Sequence, residues 1–356
     1  MRAVRSWTSL RLLLAASWLA CRLPERLLVP LAEFAGDLWY RATPDRAAQA
    51  RRNLQRVAQD LARRERGTAL ARAAASDPRA LERLVRLAYR HAARYYLEVV
   101  RTPALRPSDV DDLMFIETPD VVADAFTPGR ASIFVGLHFG AIELPAILLA
   151  THVGGAVAPM ETIDDPGLQA WFVRTRGAVG VRIVGLREAR RELLTALRAG
   201  TSVGLVGDRD LTGGGIPTEL FGAPAQLPLG PAMLGVEGDA PLFVVGVRRT
   251  AIGRYRGRLE RVIVPADGSR RERVSAAMAG IARAFERIVE DAPEQWWAVF
   301  FPIWPDLEAA AADAPTGADT AEGGPTEDAA VAASTTARAR GSTARARGST
   351  AAPGAP

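Results

Sequence analysis

In the stretch Ser132-Ile133-Phe134-Val135-Gly136-Leu137-His138-Phe139-Gly140-Ala141-Ile142-Glu143, an apolar run with strand character ends at a histidine, and an acid follows five positions later. Histidine is scarce: His91, His138 and His152 are the only three in 356 residues. A histidine at the carboxyl end of a buried strand, where open α/β sheets place their ligands, is positioned to act as a base. The four intervening residues open a helix that can return Glu143 toward the imidazole. An acid there would fix the ring tautomer and stabilise the cation formed when the ring takes a proton.

A second pair, Asp208 and Arg209, follows the strand-like run Ser202-Val203-Gly204-Leu205-Val206 and is expected on the same sheet edge as His138. Arg209 can hold a phosphate or stabilise an oxyanion; Asp208 can assist His138 or position that arginine. Gly140 allows a close approach of backbone or substrate. Phe221, in the turn Phe221-Gly222-Ala223-Pro224, is expected either to line a substrate site or to pack in the core. The run Gly213-Gly214-Gly215 has neither the spacing nor the lysine of a phosphate-binding loop and reads as a flexible loop. The absence of a Gly-x-Ser-x-Gly elbow argues against a serine acyl-enzyme. Three histidines and the single Cys21 give no support to a metal site or a disulfide framework.

The His-x4-Glu arrangement resembles the His-x4-Asp/Glu motif of glycerolipid acyltransferases, and four further segments narrow the likeness. These are Arg51-Arg52-Asn53-Leu54, Gly207-Asp208-Arg209-Asp210-Leu211-Thr212-Gly213, Phe221-Gly222-Ala223-Pro224-Ala225 and Pro293-Glu294-Gln295-Trp296-Trp297. Together, and in that order, they are similar to the lipid A biosynthesis and phosphatidylinositol mannoside acyltransferase family, over roughly residues 5–305. The run from Asp208 to Pro231 is most similar to the mannoside branch, although Glu143 stands where that branch usually carries Asp. The resemblance implies transfer of a fatty acyl group from acyl-coenzyme A or an acylated carrier protein, with no cofactor, to a hydroxyl of a membrane lipid. His138 would deprotonate that hydroxyl, with Glu143 as its acid. The first expectation for the acceptor is a mannosylated phosphatidylinositol; a lipid A precursor or a lysophospholipid is the alternative.

Charge is uneven along the chain. Lysine is absent, and the first 105 residues hold 20 Arg against 9 acids. Such an excess calls for an anionic partner, and the apolar character of the same region favours anionic membrane lipid over nucleic acid. The stretches Leu12–Ala20 and Leu27–Leu31 are each shorter than the roughly 20 apolar residues a bilayer crossing needs. Residues 1–42 therefore read as an amphipathic or re-entrant anchor with Trp18, Trp39 and Tyr40 near the interface, in preference to a cleaved signal. That anchor would hold the catalytic body on the cytoplasmic face of the inner membrane. A non-catalytic peripheral lipid-binding protein is the competing reading from another class.

Residues 44–102 are expected to be helical. Strands follow near 132–137, 156–159, 181–184, 202–206, 241–247 and 258–264, with helices near 141–151, 166–178, 187–199, 228–238 and 271–291. This alternation specifies one α/β domain over 43–305, with a mixed central sheet flanked by helices, the last two strands forming a hairpin. From residue 306 the chain is rich in Ala, Thr, Gly, Pro and acids. It repeats Ala-Arg-Ala-Arg-Gly-Ser-Thr at 337–343 and 344–350, and is expected to be a disordered tail. The aromatic cluster of Trp296, Trp297, Phe300, Phe301 and Trp304 is expected to close the core.

Overall fold

A computed structural model describes residues 2–312 except Thr212. Its strands are β1 (Met114–Ile116), β2 (Ile133–Gly140), β3 (Ala156–Met160), β4 (Val181–Gly185), β5 (Ser202–Val206), β6 (Ile216–Leu220), β7 (Ala223–Leu227), β8 (Leu242–Ala251) and β9 (Arg254–Val262). Seven of them form one sheet in the order β1-β9-β8-β2-β5-β3-β4, while β6 and β7 form a separate hairpin. The sheet is mainly parallel, with β8 and β9 antiparallel as the Gly253 turn requires. All six expected strands are present at nearly the expected positions.

Helices cover both faces, so the central strands are apolar on both sides. Along β2, Ile133, Val135 and Leu137 point into a core shared with Leu193, Leu197, Leu234, Met278, Ile281 and Phe285. Phe134, of opposite parity, packs with Leu149, Phe243 and Val245 on the other side. Local chemistry starts the helices where the chain leaves the sheet. The Asp165 carboxylate accepts the N–H groups of Gly167 and Leu168 ahead of helix Pro166–Ala178. Ser269 and Glu272 form a capping box on helix Arg270–Val289.

The N-terminal region is helical, as expected, and is docked on the body. Helix Glu25–Ala42 lies across helix Pro78–Arg101, joined by Asp37 to Arg90 at 2.7 Å and to Arg86 at 3.3 Å. At Gly36 an added Cβ would lie 2.8 Å from Arg90 Cα, so this crossing has no room for a side chain. The preceding helix Arg2–Ala20 is fixed by Ser17 Oγ, which donates to the Val100 carbonyl at 2.6 Å. Among the described residues no helix is long and apolar enough to cross a membrane. The outward side of these two helices nevertheless carries Leu12, Trp18, Leu27, Leu31, Phe34 and Leu38, all exposed.

At the other end, helix Pro305–Ala312 carries the folded body past the expected boundary at 305. Arg56 Nη1 donates to Asp306 Oδ1 at 2.7 Å and Gln49 Nε2 to Glu308 Oε1 at 2.6 Å, so these first acids of the expected tail are bound to helix Pro44–Arg63. The rest of that tail lies outside the described residues.

Candidate active site

Parallel pairing of β2 with β5 brings together two residues 70 positions apart. Gly136 is in register with Val206, and the Gly207 N–H donates to the Gly136 carbonyl at 3.0 Å. His138 and Asp208 each lie two residues beyond that register pair, and so face each other at the carboxyl ends of their strands. Asp208 Oδ1 is 2.7 Å from His138 Nδ1, and the His138 backbone N–H donates to Oδ2 at 2.9 Å. Trp296 Nε1 donates to the same Oδ2 at 2.7 Å. Burial by itself would raise the Asp208 carboxyl; the charge of His138, its two hydrogen bonds and the Trp296 indole outweigh burial and hold it below the ordinary carboxylate range.

An ionised Asp208 accepts, so in the neutral ring Nδ1 carries the proton and Nε2 presents a lone pair. Nε2 has no hydrogen-bond partner among the described residues, and the side chain keeps 16% of its exposure. Trp297 meets the imidazole edge-on with centroids 4.4 Å apart, and Tyr95 stacks on Trp297 at 4.9 Å. The ring is therefore held by a charge at one nitrogen and by aromatic walls beside it, leaving the other nitrogen for a reactant.

Glu143 is placed differently from the expectation that it partners His138. It begins helix Glu143–Val153, and Arg176 Nη2 donates to its Oε1 at 2.9 Å. Burial would lower the Arg176 guanidinium, but Glu143 overrides it and raises the ionisation above the ordinary value. The acid on Nδ1 is Asp208, the role that sequence reasoning had left open for it.

Gly140 is where the chain turns off the strand, with φ of +52°. A Cβ there would fall onto the Val247 carbonyl oxygen, so the close approach is made by backbone. The Val247 oxygen accepts the Ala141 N–H at 2.9 Å, and the Gly140 carbonyl accepts Arg249 Nη2 at 2.8 Å. Arg249 is itself buried, paired with both carboxylate oxygens of Glu98 through its Nε and Nη2, and bracketed by Gln295, which accepts its backbone N–H and donates to its carbonyl. Phe221 is core: it is 3% exposed, its N–H donates to Glu286 Oε1 at 2.6 Å, and its ring lies 6.0 Å from Trp296. Arg209 lies beside the dyad with its guanidinium 3.5 Å from the centre of the Phe301 ring.

A strand-end histidine with a buried, ionised acid on Nδ1 and a free Nε2 is equipped for general-base catalysis on a hydroxyl. The model of a family described as bacterial lipid A biosynthesis acyltransferase matches residues 1–301. The chain belongs to that family. As an acyltransferase it has relatives named phosphatidylinositol mannoside acyltransferase. One, from Mycolicibacterium smegmatis, is 27% identical over 236 residues, covering 65% of this chain and 72% of the relative. Another, from Mycobacterium tuberculosis, is 27% identical over 235 residues, covering 64% and 69%.

Sequence reasoning missed several residues packed around the His138–Asp208 pair. Trp296 and Trp297 are expected in the core, and Trp296 is indeed fully buried, yet it donates to Asp208 while Trp297 lies edge-on to the His138 ring. Arg176 and Arg249 carried no local signal, because their partners lie 33 and 151 residues away. Asn53, in the first of the matching segments, is buried and donates to the carbonyls of Val299 and Phe301, both at 2.8 Å, fixing the aromatic segment against the site.

Proposed function

We propose that this acyltransferase moves a fatty acyl group from an acyl thioester to a hydroxyl of a membrane glycolipid, with a phosphatidylinositol mannoside as the first candidate acceptor. The observation that carries the mechanism is the His138–Asp208 pair with Nε2 unpartnered. His138 Nε2 takes the proton of the acceptor hydroxyl as its oxygen attacks the thioester carbonyl. Asp208, ionised and buried, stabilises the resulting imidazolium. The tetrahedral adduct then expels the thiolate, which recovers the proton from His138, so the ring ends neutral. General-base assistance of this kind contributes about 10²–10⁴ in rate, or roughly 3–5 kcal/mol of barrier. Glu143 contributes by holding Arg176 against the first turn of helix Glu143–Val153, which follows the strand that carries His138.

The donor is a substrate, acyl-coenzyme A or an acylated carrier protein, and no cofactor enters the scheme. The acceptor choice is supported by the names of the two relatives and by the likeness of the Asp208–Pro231 run to the mannoside branch. Work at the cytoplasmic face of the inner membrane is supported by the arginine-rich first 105 residues and by the exposed apolar side chains of helices Arg2–Ala20 and Glu25–Ala42.

Radiolabelled transfer to a panel of membrane lipids, from acyl-coenzyme A and separately from acylated carrier protein, tests the proposal. Label in a single mannosylated lipid is expected. Label only in a lipid A precursor or a lysophospholipid would replace the acceptor assignment, and no label with either donor would overturn the reading.

A further inference from the structure

Most guanidiniums near the site are neutralised: Arg51 by Glu82, Arg176 by Glu143 and Arg249 by Glu98. Arg46 and Arg209 are different. Neither side chain makes an ion pair or hydrogen bond among the described residues; what they share is the ring of Phe301, with Arg209 Cζ 3.5 Å and Arg46 Cζ 5.7 Å from its centre. The oxygens of Asp208, the acid next to Arg209 in sequence, are engaged by His138 and Trp296. Burial lowers the Arg209 guanidinium below its ordinary value, with Asp208 and Glu161 acting only through space against it. Tyr96 lies within electrostatic reach of both cations, and its hydroxyl has no partner among the described residues.

The platform is tied to the helix that carries Arg46. Asn53 holds the Phe301 carbonyl and lies seven residues after Arg46, on the same face of helix Pro44–Arg63. A guanidinium stacked on an aromatic ring keeps its N–H edge free for a planar, bidentate anion contact, the geometry that phosphate oxygens satisfy. Two unpaired cations over one ring repel each other, and a bound anion converts that repulsion into attraction.

We propose that Arg46 and Arg209, carried on Phe301, form a seat for a phosphate group of a substrate. The proposal rests on the acyltransferase reading and deepens it: Arg209 directly follows Asp208, so a phosphate held there sets how far the reacting hydroxyl or thioester stands from His138. That phosphate belongs either to the phosphodiester of the acceptor lipid or to the acyl carrier.

Calorimetric titration of the full chain with glycerophosphoinositol and, separately, with coenzyme A tests the seat. At least one probe is expected to bind wild type and to lose about tenfold or more in affinity in Arg46→Gln and in Arg209→Gln, as loss of one charge-assisted contact implies. Arg46→Lys is expected to recover part of the loss, and an unchanged melting temperature in Arg46→Gln assigns the loss to binding. The probe that shows this dependence identifies the source of the phosphate. Failure of both probes to bind wild type, or equal binding to wild type and Arg46→Gln, overturns the proposal. A chain that binds with this dependence but transfers no acyl group would sink the acyltransferase reading and leave the seat standing.

Discussion

His138 and Asp208 stand 2.7 Å apart because β2 and β5 are parallel neighbours in register, each residue two positions past the last pair that joins these two strands, Gly136 with Val206. The pairing of β2 with β5 thus brings the two residues together from 70 positions apart in sequence. The Asp208 carboxylate gains its ionisation from donors that also fix its orientation, one from the His138 ring, one from the His138 backbone and one from Trp296.

Glu143 and Arg176 form a largely buried ion pair. Glu143→Gln leaves that guanidinium uncompensated and is expected to cost about 3–5 kcal/mol of stability, while a Glu143→Gln, Arg176→Met double variant recovers much of it. Urea unfolding of the four members of this cycle gives the coupling. Additive losses would show that the pair is not a unit.

Gly140 admits no side chain. Gly140→Ala combines a positive φ with a clash against the Val247 carbonyl and is expected to lower stability by more than about 2 kcal/mol. Because the same turn follows His138, turnover should also fall in the folded fraction. A variant with wild-type melting temperature would contradict the geometry.

His91 predicts an acid weakness. Burial first, and then the charges of Arg249 and Arg94, push its imidazole well below the ordinary value of 6.5, and its Nδ1 is buried without a partner. Below pH 6.5 the unfolded chain binds a proton that the folded chain refuses, so the stability contribution is complete above 6.5 and declines as pH falls toward the depressed folded value. The steepest loss is about 1.4 kcal/mol per pH unit. Urea midpoints from pH 7.5 to 5.5 are expected to fall more steeply in wild type than in His91→Gln; parallel curves would remove His91 from this role.

The exposed side of helix Glu25–Ala42 presents Leu27, Leu31, Phe34 and Leu38 at helical spacing. Replacing Leu31 and Phe34 by Glu is expected to weaken flotation with anionic vesicles about tenfold or more, with no change in melting temperature. Unaltered flotation would exclude this face as the contact.

The apolar rhythm of residues 130–290 was sufficient to locate every main strand and the helices between them, because a sheet buried on both faces leaves long apolar runs. The short strand β1 and the hairpin of β6 and β7 escaped: one is three residues long, and the other contains Pro217 and Pro224, which read as turn residues. At the site, spacing pointed to Glu143 since it is near in sequence, whereas the acid on His138 comes from the neighbouring strand. Strand adjacency, which no local pattern encodes, decides that choice. Phe221, placed at a substrate site or in the core with equal reason, is in the core because its backbone N–H is bound to Glu286 beneath the hairpin.

Acyl transfer by purified His138→Ala, Asp208→Asn and Glu143→Gln, compared with wild type at saturating donor and acceptor, separates the two acids as partners of His138. Loss of transfer is expected in His138→Ala and a fall of about 10²–10⁴ in kcat in Asp208→Asn, with fold retained in both. Glu143→Gln is expected to show a smaller kcat effect per folded molecule. Wild-type turnover in Asp208→Asn, with the loss falling on Glu143→Gln instead, would contradict the role given to Asp208.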